Sequence, residues 1–256
     1  MMQRMGDGLW SRCALFVTAC ATALLFLPQF NLLNYFFSFT IALPLTLTVC
    51  IYAARLSARE KSLRRNVFIG TFAMLLLPLV VVGVASIWVQ NCDPWTGLSF
   101  FVMGPTLGAL YAAAVGIFCG TVFGQRWGWR MATLCWLATI GWNLAHVYNH
   151  PAIFAYNPFM GYFSGAIYDE VVRISGPYGW YRATNVFQLV GFLVAAHVWR
   201  TARHSKRAWT LVIVLLLANI VGFNFRATLG SEMDRKDVIK TLGGQYETEH
   251  FILYYD

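Results

Sequence analysis

The fold is decided by residues 100–149, FFVMGPTLGALYAAAVGIFCGTVFGQRWGWRMATLCWLATIGWNLAHVYN. This stretch has no Asp, Glu or Lys, and its two basic residues, Arg126 and Arg130, both lie in the short motif QRWGWR. A helix crosses the hydrocarbon core of a bilayer in about 20 apolar residues. The stretch is therefore too long for one crossing, and it divides at the arginines into spans near 100–124 and 131–149.

Working outward, further apolar segments of similar length fall near 13–33, 35–54, 66–89, 181–199 and 208–225. Together they predict an all-α fold, a polytopic transmembrane bundle of about seven spans. The composition agrees: 58% of the 256 residues are hydrophobic and 12% are charged, against about 45–50% and 25% in a soluble domain. The link LPQFNLLN, Leu27 to Asn34, reads as a tight turn between the first two helices or as part of one re-entrant hairpin. Gly104 and Gly108, and then Gly116, Gly120 and Gly124, have the four-residue spacing that permits close helix contact.

The chain carries 19 Lys and Arg against 11 Asp and Glu. In a soluble protein that excess would suggest nucleic acid, but here the basic residues sit in short tracts between apolar segments, so no nucleic-acid partner is expected. Arg4 and Arg12, the tract Arg55 to Arg65, Arg126 and Arg130, and Arg200 to Arg207 occupy alternate connections; the intervening loops hold only Arg173 and Arg182. Lys and Arg near span ends stay on the cytoplasmic side, which predicts a membrane protein with its N-terminus inside and its C-terminus outside. The tract Arg55 to Arg65 also suits anionic membrane lipid. The N-terminal segment resembles a secretory signal, yet its apolar run continues past Cys20, so it reads as a retained anchor helix. Of the six cysteines, five lie inside apolar segments as expected free thiols, and Cys92 lies in a loop.

The chain divides into a transmembrane domain, residues 1–227, and a polar extracytoplasmic tail, residues 228–256. In the tail, Ser231 to Leu242 suits a short helix that Gly243 and Gly244 stop, and His250 to Tyr255 reads as a strand with no partner.

Chemistry concentrates in the segment HVYNHPAIFAYNPFMGYFSGAIYDE, His146 to Glu170. His146 and His150, spaced i,i+4, share a helix face, and Asp169 or Glu170 would supply a third ligand if the loop folded back. The pattern lacks the glutamate of HExxH, so these histidines read first as interfacial residues and second as a zinc site; no other cofactor is expected. Asn143 is an amide at membrane depth, either interhelical glue or one wall of a polar outward-facing cavity with His146, Asn149, His150, Asp169 and Glu170. Asn185 and Gln188 would complete that cavity, and Arg173 or Arg182 would meet the acids. The long connection from Pro151 to Tyr181, rich in aromatics, reads as a lid over the outer end of the bundle, with turns at Asn157-Pro158 and around Ser175 to Gly179 and helical turns over Ala166 to Ile174.

NCDPWTG and NPFMGYFSGAIYDE together resemble the multi-span N-terminal region of bacterial envelope proteins that continue into a peptidase-MA-like (gluzincin) domain, and ETEHFILYYD, Glu247 to Asp256, is similar to the opening strand of such a domain. The resemblance implies that the membrane is a bacterial inner membrane and that the chain is a membrane module that anchors or senses for an extracytoplasmic domain and is not itself catalytic. It carries no catalytic residue over, because the zinc motif HExxH is absent from these residues. The alternatives are a membrane-embedded metal-dependent hydrolase built on His146, His150, Asp169 and Glu170, and a small-solute transporter.

Overall fold

The computed structural model describes residues 2–59, 64–149, 155–163, 172–225, 239, 243–248 and 251–255. It is mostly helical: α1 (Met2–Leu24), α2 (Tyr35–Arg59), α3 (Arg64–Ala85), α4 (Pro94–Phe101), a π-helical turn (Val102–Thr106), α5 (Leu107–Asn149), α6 (Gly176–Thr201) and α7 (Lys206–Asn224). Two small antiparallel hairpins, β1 (Ala155–Asn157) with β2 (Gly161–Phe163) and β3 (Gly244–Glu247) with β4 (Ile252–Tyr255), depart from the all-α expectation.

Among the described residues three helices are long and apolar enough to cross a membrane: Tyr35–Arg59, Arg65–Ala85 and Pro94–Asn149; Gly8–Leu24 is a shorter apolar helix. The third candidate has 56 residues, which as a straight rod would reach about 84 Å, far beyond a bilayer. It is folded in two. At Gly124 the backbone leaves the helical region (φ 70°, ψ −169°), and a Cβ on Gly128 would stand 2.8 Å from the Gly120 Cα. Residues eight apart in one straight helix are separated by about 12 Å, so 107–123 and 125–149 are antiparallel arms. Gly124 was expected to be a contact glycine; it is the reversal itself, with nothing within 4 Å of its Cβ position.

Helix α2 is the hub. Phe37, Ile41, Leu45, Val49, Cys50 and Ala53 are fully buried, facing small residues on the first arm of α5. A Cβ on Gly116 would approach the Cys50 carbonyl oxygen to 2.5 Å, and one on Gly120 the Ala54 carbonyl to 2.2 Å. In lipid, where tails are as apolar as Leu, such close packing is what holds helices together. The link after α1 is a turn between two helices: Gln29 takes φ 70°, and Asn34 starts α2 by accepting from the Phe37 N–H at 2.9 Å while donating to the Gln29 carbonyl.

The bundle has two chemically different ends. At one, Arg200 donates to the Ser57 carbonyl (2.6 Å) and Thr121 Oγ1, while Arg55 and Arg130 stack on the ring of Trp129, and Arg203 on Trp199. Tyr35, Phe100, Tyr162 and Tyr178 gather at the other. Helix α7 runs back along α6 from the Trp199–Trp209 contact, so its last residue lies towards the aromatic end.

In the tail, the expected unpaired strand is corrected: Ile252–Tyr255 pairs with Gly244–Glu247, residues read from sequence as a helix stop and its sequel. Gly243 takes φ 72° and donates to the Ile239 carbonyl at 3.1 Å, as at a helix C-terminus. Residues 231–238 and 240–242 of the expected tail helix lie outside the described residues.

Candidate functional site at the aromatic end

The site begins with a local break in α-helical register. Pro105 has no N–H to donate, and the π-turn around it sends the Leu107 N–H to the Val102 and Gly104 carbonyls. In regular α-helix that N–H would take the Met103 carbonyl. Here the Met103 oxygen accepts from the Tyr178 hydroxyl at 3.0 Å, and the Gly104 oxygen accepts from Arg182 Nη2 at 3.3 Å.

The β1–β2 hairpin descends onto this turn. Asn157 Oδ1 accepts from the Phe159 and Met160 N–H groups, shaping the tip. Phe159 is buried edge-on against Tyr111, and its carbonyl lies where a Cβ on Gly108 would come within 2.0 Å. Gly161 closes the tip at φ 105°; a side chain there would press on the Tyr178 hydroxyl at 2.8 Å. Asn143 secures the hairpin from the second arm, donating to the Tyr156 carbonyl at 2.8 Å. Among its described residues the expected lid packs on this end of the bundle with its tip inserted between the helices.

Arg182 joins the pieces. It is 2% exposed, one and a half turns into α6, which starts where Ser175 caps the Tyr178 N–H and Pro177 occupies the first turn. The expected turn at Ser175 to Gly179 is therefore this helix start. Arg182 Nε donates to the Tyr178 oxygen (3.2 Å), Nη1 to the Pro158 carbonyl (2.9 Å) and Asn185 Oδ1 (3.1 Å), and Nη2 to Gly104. Every one of these acceptors is neutral. Among the described residues no carboxylate pairs with it, and its fork is spent on oxygen acceptors from α6, the lid and the π-turn.

Around it stand Tyr35, Tyr156, Tyr162, Tyr178 and Tyr181. Tyr156 stacks on Tyr178 (5.8 Å, 11°) and Tyr181 (5.0 Å, 27°), and Tyr35 donates to the Tyr162 carbonyl. Burial, reinforced by the neighbouring Tyr35, Tyr156 and Tyr178 hydroxyls, pushes the Tyr162 phenol up to about 12. Beside them a shallow crevice with room for about one water molecule is lined by Tyr35, Ser38, Phe100, Gly104, Met160 and Tyr178. Ser38 Oγ, on its wall, and Asn157 Nδ2, in the hairpin, are buried without a hydrogen-bond partner.

Of the residues expected from sequence, the structure brings together Arg182 and Asn185 and joins Asn143 to the lid. Asn149 is exposed and donates to the Ala145 carbonyl of its own helix, Arg173 is exposed, and His146 is half-buried. His150, Asp169 and Glu170 lie outside the described residues, as do 166–171 of the helical turns expected over Ala166 to Ile174; 172–174 are not helical. Among the described residues no group of three His, Cys, Asp or Glu could hold a metal. The tyrosine ring and Phe159 escaped sequence reading; the one usable signal was Gly104 and Gly108, whose missing side chains are the seat of the NPFMG tip. Compared with protein-family models, curated proteins and solved structures, the chain shows no match.

Proposed function

We propose that the chain is a multi-span inner-membrane module that anchors an extracytoplasmic segment and is not itself catalytic. The observation that carries this is the division of charge between the two ends. Arg55, Arg130, Arg200 and Arg203 gather at one end, whereas the lid and the exit of α7 belong to the other. Lys and Arg are retained on the cytoplasmic face, so the lid and the tail would stand outside. The Arg182 staple supports a presenting role, since it fixes the lid to both α6 and the π-turn and gives a rigid platform. The β3–β4 hairpin and the likeness of Glu247 to Asp256 to a gluzincin opening strand support a folded domain as what is presented.

In this reading α1, α6 and α7 join the three apolar candidates, with Pro94–Asn149 crossing twice, to make seven crossings. Reporter fusions test it: those after Ser62 and Ser205 are expected to read cytoplasmic, and those after Gly97, Gly176 and Gly230 extracytoplasmic. A cytoplasmic signal at Gly230 would remove the odd number of crossings on which the reading depends.

A further inference from the structure

We infer that the basic end holds a specific seat for one anionic phospholipid, formed by Arg55 and Arg130 around Trp129 and continued by an apolar stripe on the second arm of α5. The Arg55 guanidinium carbon lies 4.8 Å from the Trp129 ring centre, and that of Arg130 lies 5.5 Å from the same ring and 4.9 Å from Trp127. Both guanidiniums are anchored on one indole, so an anionic head lying at Trp129 meets the field of both. Among the described residues neither has a carboxylate partner. Their shared cationic field is left for a ligand.

The backbone under this pair is fixed. Gly128 sits against Gly120 across the reversal, where even a Cβ would come within 2.8 Å, so residues 127–130 are held at a set height on the bundle. Indole rings favour the headgroup level of a membrane, and arginine stems reach along apolar surface to place their charge there.

The second observation points to the lipid's chains. Trp127, Arg130, Leu134, Leu137, Gly141 and Leu144 recur at three- and four-residue spacing and so share one helix face. On that face Trp127 is 52% exposed, Leu134 56%, Leu137 53% and Leu144 67%. A charged head site thus runs directly into an uncovered apolar track along the axis of the arm. Free phosphate would use only the arginines; a phospholipid uses both halves, and it is the occupant proposed.

The test is native mass spectrometry of the intact chain released from mixed micelles containing phosphatidylglycerol and phosphatidylcholine in equal amounts. Retention is expected to favour phosphatidylglycerol, and Arg55→Gln with Arg130→Gln is expected to lower that preference by roughly thirtyfold, from the usual contribution of two basic residues near an anionic lipid surface. Arg203→Gln, on α6–α7, should leave it unchanged. If the double variant fails to fold by circular dichroism, Leu134→Ser with Leu137→Ser replaces it and is expected to shorten retention at least threefold. Equal retention of the two lipids, or wild-type retention in the variant that folds, would overturn the seat. Displacement by millimolar inorganic phosphate alone would show an anion site without a lipid track and would equally overturn it. Since the seat is read on packing and exposure, it stands or falls separately from the fusion results.

Discussion

Arg182 shows how a charge is accommodated where no acid meets it. Hydrogen bonds from a charged donor are worth about 1.5–3 kcal/mol each, and here four are made to fixed neutral acceptors. Lysine keeps the charge but cannot span Pro158, Asn185 and Gly104 together. Arg182→Lys is therefore expected to cost about 3 kcal/mol and lower the thermal midpoint in detergent by several degrees; an unchanged midpoint would mean the lid is held elsewhere. Ser38 predicts the reverse. Its hydroxyl is buried without a partner, at a desolvation cost of about 1–3 kcal/mol, so Ser38→Ala should stabilise the protein or leave it unaffected. Tyr162 gives a pH dependence: its phenol is raised to about 12, so burial favours the neutral form. Its contribution is complete below the ordinary phenol value near 10 and is lost as pH rises from there through about 12. Tyr162→Phe should flatten the alkaline loss of stability measured by circular dichroism; an unchanged slope would assign that loss to other groups. Asn143 was legible in the sequence because an amide at membrane depth needs a partner, whereas Arg182 reads there as a loop residue to meet Asp169 or Glu170 and Asn185 as a wall of a cavity. What they bind was not legible, because the acceptors are mostly backbone carbonyls, which every residue carries.

Between elements, the same glycine spacing does two different jobs. Gly116 and Gly120 admit the α2 backbone, while Gly124, four residues on, reverses the chain. Sequence spacing is identical in the two cases, and only the backbone angles separate them. The combination φ 70°, ψ −169° is essentially open to glycine alone. Gly124→Ala is thus expected to cost about 1–3 kcal/mol in thermal or denaturant unfolding. Gly141→Ala, mid-helix with open space around it, should be neutral or stabilising by up to about 1 kcal/mol. Equal effects at the two positions would contradict the reversal. The split of 100–149 at its arginines was readable because charge and length forbid a single crossing. The β3–β4 pairing was not, since Gly243 and Gly244 signal a helix end equally well, and GQYE has too few β-branched residues to announce a strand.

Across the whole molecule, the two-ended character was the most legible feature, because it is written in the placement of Arg and Lys and needs no knowledge of packing. The sequence reads about seven spans, whereas three helices among the described residues are long and apolar enough to cross a membrane; α6, read as a span, carries Arg182 and Asn185 within its apolar run. The Arg182 staple also imposes an order in time. Chains are made from the N-terminus, and the lid residues Pro158 and Phe159 emerge before the arginine that fastens them. The Phe159 ring can reach its seat by Tyr111 early, but the tip is fastened only once α6 has arrived beside the earlier helices. A closed lid is in this sense a record that the following helix has docked, and a protein stalled before α6 would show a protease an unfastened hairpin.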